Sequence, residues 1–142
     1  MVKVLATGTF DILHPGHILY LREAKLLGDE LYVIVARDAN VLHKPRPILP
    51  EEQRLEMVES LKVVDHAMLG DSKDKCRLVR EIQPDIIALG YDQHFSVDEL
   101  EKSLCNQGLD MKVVRVGRSD PCPLCSSRAI IKRILHIKGG KE

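Results

Sequence analysis

Tryptophan is absent from this 142-residue chain, and phenylalanine and tyrosine contribute only two and three residues. A wall of rings for stacking a flat ligand is therefore not obvious. Net charge is also absent: 21 basic residues balance 21 acidic ones. No global field draws the molecule toward nucleic acid or a membrane surface, so any anion it binds must meet a local positive site. No apolar run approaches the ~20 residues that span a bilayer. The opening MVKVLATGTF reads as a strand entering a turn, without the apolar helix and small-residue cleavage site of a signal peptide. Four cysteines, two of them in a Cys-x-x-Cys, point with that opening to a reducing cytoplasm. Internal repeats, low-complexity tracts and an inter-domain linker are not visible either.

What is present is an alternation of two periods. Residues 2–6 read as a strand closed by Thr7-Gly8, and residues 15–27 as a helix with Ile18, Leu21 and Ala24 inward. Residues 31–36 form a continuous apolar run, the mark of a strand covered on both faces. The proline-rich HKPRPILP at 43–50 must be a loop, and Pro50-Glu51-Glu52 opens a helix with acids at its positive end. Leu55, Val58 and Leu61 give that helix its inner face. A third strand lies within 63–69, a helix carrying Cys76, Val79 and Ile82 ends at Pro84, and a fourth strand runs 85–90. A helix over 97–107, a strand over 112–116 and a helix over 126–137 follow. The last helix should turn Ile130, Ile131, Ile134 and Leu135 inward, and Cys76 and Cys105 should act as small core hydrophobes.

Strands alternating with helices imply parallel pairing through crossover helices. The expected fold is a single doubly wound, Rossmann-like α/β domain over residues 1–138: a parallel five-stranded sheet with helices on both faces, followed by a loose tail at 139–142. Ligands of such sheets bind beyond the carboxyl ends of the strands. That rule selects residues 7–17, 37–47, 90–94 and 117–127.

The chain's unusual residues fall in those places. Gly8 allows backbone amides to approach a ligand. His14 and His17 flank Pro15-Gly16 at the start of a helix, where free N–H groups and the positive end of the dipole attract phosphate. Two imidazoles added there suit a phosphorus centre on which negative charge grows. They could instead cap a turn; a zinc site would want ligands beyond the nearby Asp11. Lys44 and Arg46 could reach a triphosphate or remain solvated. Arg54 could face phosphate or pair on the surface with Glu51 or Glu52. Asp92 follows the fourth strand, where a turn aspartate is also at home. Ser126 and Ser127 open the last helix as caps, as an anion site, or both, with Arg128 adjacent. Cys122 and Cys125 could be a redox pair, half of a zinc knuckle or loop packing.

The block GTFDILHPGH resembles the His-x-Gly-His signature of the nucleotidylyltransferase superfamily, in its cytidylyltransferase-like form. The segments ARDANV, PILPEEQR, PDIIALGYDQ and CPLCSSRAIIKRI together resemble archaeal FAD synthases more closely than the glycerol-3-phosphate cytidylyltransferases, whose turn near residue 93 often carries tryptophan. The resemblance implies transfer of AMP from ATP to FMN, with FAD and pyrophosphate as products. A phosphate oxygen of FMN attacks the α-phosphorus in line, and no covalent intermediate forms. It further implies that Thr9, Phe10, His14, Pro15, Gly16, His17, Asp92, Ser126 and Ser127 bind nucleotide, with His14, His17 and Lys44 stabilising the reacting phosphorus. Asp11, Arg46, Arg54 and Arg128 would serve phosphate or acceptor. Magnesium would travel with ATP, held by phosphate oxygens and water rather than by a cage of protein side chains. Relatives in the superfamily commonly dimerise, so the resemblance admits a homodimer, but the sequence does not give the oligomeric state. The thiols of Cys122 and Cys125 are expected to need reduction for activity, since a disulfide there would pull on the serine pair. The rival functions are a polyol-phosphate cytidylyltransferase and a non-catalytic nucleotide-binding redox sensor.

Overall fold

The structure is a computed structural model that describes residues 1–41, 46–74, 76–90, 97–117 and 122–139, the side chain of residue 98 excepted. Five strands, β1 (Lys3–Gly8), β2 (Glu30–Val35), β3 (His66–Leu69), β4 (Ile86–Gly90) and β5 (Lys112–Val116), form one sheet in the order β3-β2-β1-β4-β5. Every pairing is parallel. The helices α1 (Pro15–Lys25), α2 (Glu51–Glu59), α3 (Arg77–Ile82), α4 (Val97–Asn106) and α5 (Ser127–Ile134) alternate with them. A short 3₁₀ turn at Asp38–Asn40, unmarked in the sequence pattern, follows β2. The doubly wound α/β fold is thus as expected.

The alternation of side chains along each strand builds two cores. Val4, Ala6, Leu31, Val33 and Val35 join Leu21 and Ala24 of α1 and Val58 of α2 on one face. Leu5, Ile87 and Val113 join Leu78, Val79 and Ile82 of α3 and Leu104 of α4 on the other. Burial on both faces explains the uninterrupted apolar runs of the sequence.

Two expectations are corrected. Beyond α5 the chain continues as a π-type turn over Leu135–Gly139. Ile134 and Leu135, expected inward, are 50% and 62% exposed, and Ile137 is exposed with them. Apolar spacing marks a face without saying what lies opposite. Cys105 is exposed and Cys76 only half-buried, so neither is a core hydrophobe. Of the tail at 139–142, residues 140–142 lie outside the described residues.

Candidate active site

Strand order reverses at β1, so the crevice between β1 and β4 is the switch point at which doubly wound sheets bind ligands. The ladder between those strands runs Val4↔Ile86, Leu5↔Ile87, Ala6↔Ala88. Just beyond it the hydroxyl of Tyr20 stands between the diverging ends. It donates to the Ala88 carbonyl at 2.7 Å and lies 3.2 Å from the Thr7 amide. Tyr20 therefore holds the crevice to a fixed width, a role its place on a helix face did not reveal.

The segment leaving β1 turns sharply. Phe10 has φ of 53°, in the left-handed region that bulky residues rarely occupy. Its ring is 2% exposed, 5.3 Å from the ring of His17 and 6.4 Å from that of Tyr20. Gly8 serves this ring. A Cβ at residue 8 would come within 2.9 Å of it, so the absent side chain makes room for Phe10 rather than for a ligand. Asp11 braces the neighbouring loop, its two oxygens accepting the amides of Ile48 and Leu49 at 2.8 and 2.9 Å.

His14 is the N-cap of α1, with Pro15 at the first helical position, and its Nδ1 accepts the Gly16 amide at 3.1 Å. An accepting Nδ1 carries no proton, which leaves Nε2–H as the donor on the opposite edge of the ring. The His14 and His17 rings stack with centroids 3.8 Å apart and planes inclined by 26°. Capping and phosphate chemistry are therefore compatible, because the cap uses Nδ1 and leaves the other ring nitrogen as the donor. α1 has no acid in its first turn, and neither has α5, whereas α2 carries Glu51 and Glu52 there. The start of α3 also lacks acids, but only the starts of α1 and α5 carry the histidine and serine pairs.

Gly16 brings those pairs together. A Cβ at that position would lie 2.7 Å from the carbonyl oxygen of Cys125, so the chain ahead of Ser126 packs directly on the His-x-Gly-His turn. Ser126 is the N-cap of α5, its Oγ accepting the Ala129 amide at 3.1 Å, and Ser127 is the first helical residue. Arg128 and Arg46 are exposed. The sulfurs of Cys122 and Cys125 are bonded to each other in a disulfide. The two sulfurs are thus joined where free thiols were expected.

Arg54 corrects both of its sequence readings. It is fully buried, and its guanidinium donates to the carbonyls of Thr9 (2.6 Å), Ala36 (2.9 Å) and Leu49 (3.0 Å) and to the Asp38 carboxylate (2.5 Å). It is neither a surface partner of Glu51 or Glu52 nor directed at phosphate. It ties the β1 exit to the β2 exit and to the start of α2. Glu51 instead accepts from Arg37 and from the Asp38 amide. Lys44 and Asp92 lie outside the described residues. Among the described residues, no group of three or more His, Cys, Asp or Glu side chains is disposed to hold a metal ion, and no helix is long and apolar enough to cross a membrane.

The family profile described as cytidylyltransferase-like matches residues 5–133. The chain belongs to the cytidylyltransferase-like family. Within it, the chain is 62% identical over 139 residues to an FAD synthase of Methanosarcina mazei, covering 98% of this chain and 92% of that protein. It is 58% identical over 137 residues to an FAD synthase of Archaeoglobus fulgidus, covering 96% of this chain and all of that protein. Among solved structures it superposes on a protein of Thermoplasma volcanium, titled a lipopolysaccharide core biosynthesis protein. The TM-score is 0.81 and the identity 50%, covering 84% of this chain and 99% of that one. Family membership and fold agree with the sequence resemblance; Tyr20 and Asp38 are site-building residues it did not reveal, and Arg54 is one it named for a different role.

Proposed function

We propose that this chain is an FAD synthase, a nucleotidyltransferase that joins AMP from ATP to FMN and releases pyrophosphate. The observation that carries the choice of acceptor is the near-full-length identity to FAD synthases. It is higher and more complete than the identity to the Thermoplasma protein, and the cytidylyltransferase and sensor readings have no comparable support.

In this reading the triphosphate spans the starts of α1 and α5. The α-phosphate lies against the N-terminus of α1, where the Nε2–H of His14 and the stacked His17 ring meet the charge that grows on the five-coordinate phosphorus. The β- and γ-phosphates lie against the start of α5 with Ser126 and Ser127. A phosphate oxygen of FMN attacks from the side opposite the leaving pyrophosphate, and the P–O bond to pyrophosphate breaks as the new one forms. Thr9 and Phe10 would hold phosphate or acceptor, with Lys44, Arg46, Arg128 and Asp92 carried over from family resemblance. Pairing into a dimer rests on that resemblance too, whereas cytoplasmic residence rests on the cysteine usage. A magnesium ion would neutralise the triphosphate. In this reading phosphate oxygens and water hold that ion.

Incubation of reduced protein with magnesium, ATP and FMN should yield FAD and pyrophosphate in equal amounts. CTP with glycerol 3-phosphate should yield nothing, and CDP-glycerol without FAD would overturn the assignment. The Cys122–Cys125 disulfide abuts the residues that bind phosphate in this reading, so oxidant should lower activity. Cys125→Ser should abolish that sensitivity, and sensitivity that survives in the variant would exclude the pair as its cause.

A further inference from the structure

The reaction requires the starts of α1 and α5 to face one triphosphate, although they are far apart in the chain. Among the described residues, two contacts made by α1 bear on their relation. At its first turn the side-chain-free backbone of Gly16 seats against the carbonyl of Cys125, immediately before Ser126. Seven residues and roughly 10 Å further along the same helix, Glu23 accepts the amide of Gly117 through Oε1 at 2.7 Å. Gly117 follows β5 directly and has φ of 80°, so the chain leaves the sheet through a left-handed turn whose amide is aimed back at α1. One rigid helix thus grips both the departure from β5 and the arrival at α5.

We propose that Glu23 is a positioning residue for the triphosphate. It touches no substrate. It holds Gly117 so that Ser126 and Ser127 arrive at a set distance from His14 and His17. A carboxylate makes a charge-assisted bond to a backbone amide, and a carboxamide oxygen in the same place makes a weaker one. The inference rests on the proposed assignment of the serine pair to the triphosphate.

The test is steady-state kinetics with ATP and FMN varied in turn for Glu23→Ala, Glu23→Gln, Ser127→Ala and the double variant Glu23→Ala/Ser127→Ala, with a thermal midpoint for each. Glu23→Ala should raise the KM for ATP roughly tenfold, as loss of one charge-assisted hydrogen bond would, while the KM for FMN stays constant. Glu23→Gln should recover most of that change. In the Ser127→Ala background the alanine at 23 should add almost nothing, because the group it positions is gone. An unchanged KM for ATP in Glu23→Ala would overturn the proposal, as would effects that multiply in full in the double variant. So would a rise in both KM values that follows a fallen thermal midpoint. A silent Glu23→Ala beside an impaired Ser127→Ala would remove only the positioning role. A silent Ser127→Ala would remove the serine assignment itself.

Discussion

Replacing Arg54 by methionine keeps most of the volume of the side chain and deletes its donors. The structure sets the size of the effect. The guanidinium is fully buried and serves three backbone carbonyls besides Asp38. Each carbonyl left buried without a partner costs about 1–3 kcal/mol. Asp38 is 39% exposed, so its freed carboxylate regains water and adds little. Breaking a buried pair from one side typically costs about 3–5 kcal/mol, and the partial hydration of Asp38 places Arg54→Met toward the lower end. For a chain of this length each kcal/mol moves the midpoint by about 3–5 °C, so a fall of about 10–15 °C is expected. Circular dichroism at 222 nm during heating measures it. Arg54→Lys should recover only part of the loss, since a single ammonium cannot reproduce the fork that serves several separate acceptors. A midpoint for Arg54→Met within 3 °C of the parent, on the scale of an ordinary surface change, would show that the clamp carries no such load.

His14→Asn should keep the α1 cap, because asparagine is among the best N-cap residues, yet lose about a hundredfold or more in kcat with the imidazole donor. An active His14→Asn, assayed for FAD formation, would reduce His14 to a cap. Asp71, ahead of α3, is held well below the usual carboxylate range by the amides of Asp74 and Lys73 and by the Arg77 guanidinium. A carboxyl depressed in the folded state contributes stability that is present above its unfolded value of about 4 and is lost as pH falls further. Urea midpoints measured between pH 5 and pH 2.5 should therefore decline less steeply for Asp71→Asn than for the parent; an equally steep decline would contradict this.

The fold was legible because both faces of the sheet are covered, so each strand announces itself as an apolar run between helical periods. The histidine pair was legible because its spacing around Pro15-Gly16 has a chemical meaning at a helix start. Arg54 was not. An arginine two residues after paired glutamates has the pattern of a solvated face, and only the tertiary convergence of three carbonyls buries it. Glu23 was hidden for a related reason: its partner is a backbone amide 94 positions away, and backbone atoms leave no trace in a residue pattern. The expectation for Ile134 and Leu135 erred because periodicity reports the chemistry of one surface and not the presence of another against it.

The two cores divide the molecule's labour unequally. Phe10 and the helices that carry His17 and Arg54 pack on one side of the sheet, while the side roofed by α3 and α4 holds none of the described catalytic candidates. Anyone wishing to harden this protein against heat thus has a hemisphere in which to work: repacking Leu78, Ile82, Leu104 or Val113 alters the foundation and leaves the chemistry's scaffold undisturbed. Changes of the same size under α1 would be felt at the phosphorus.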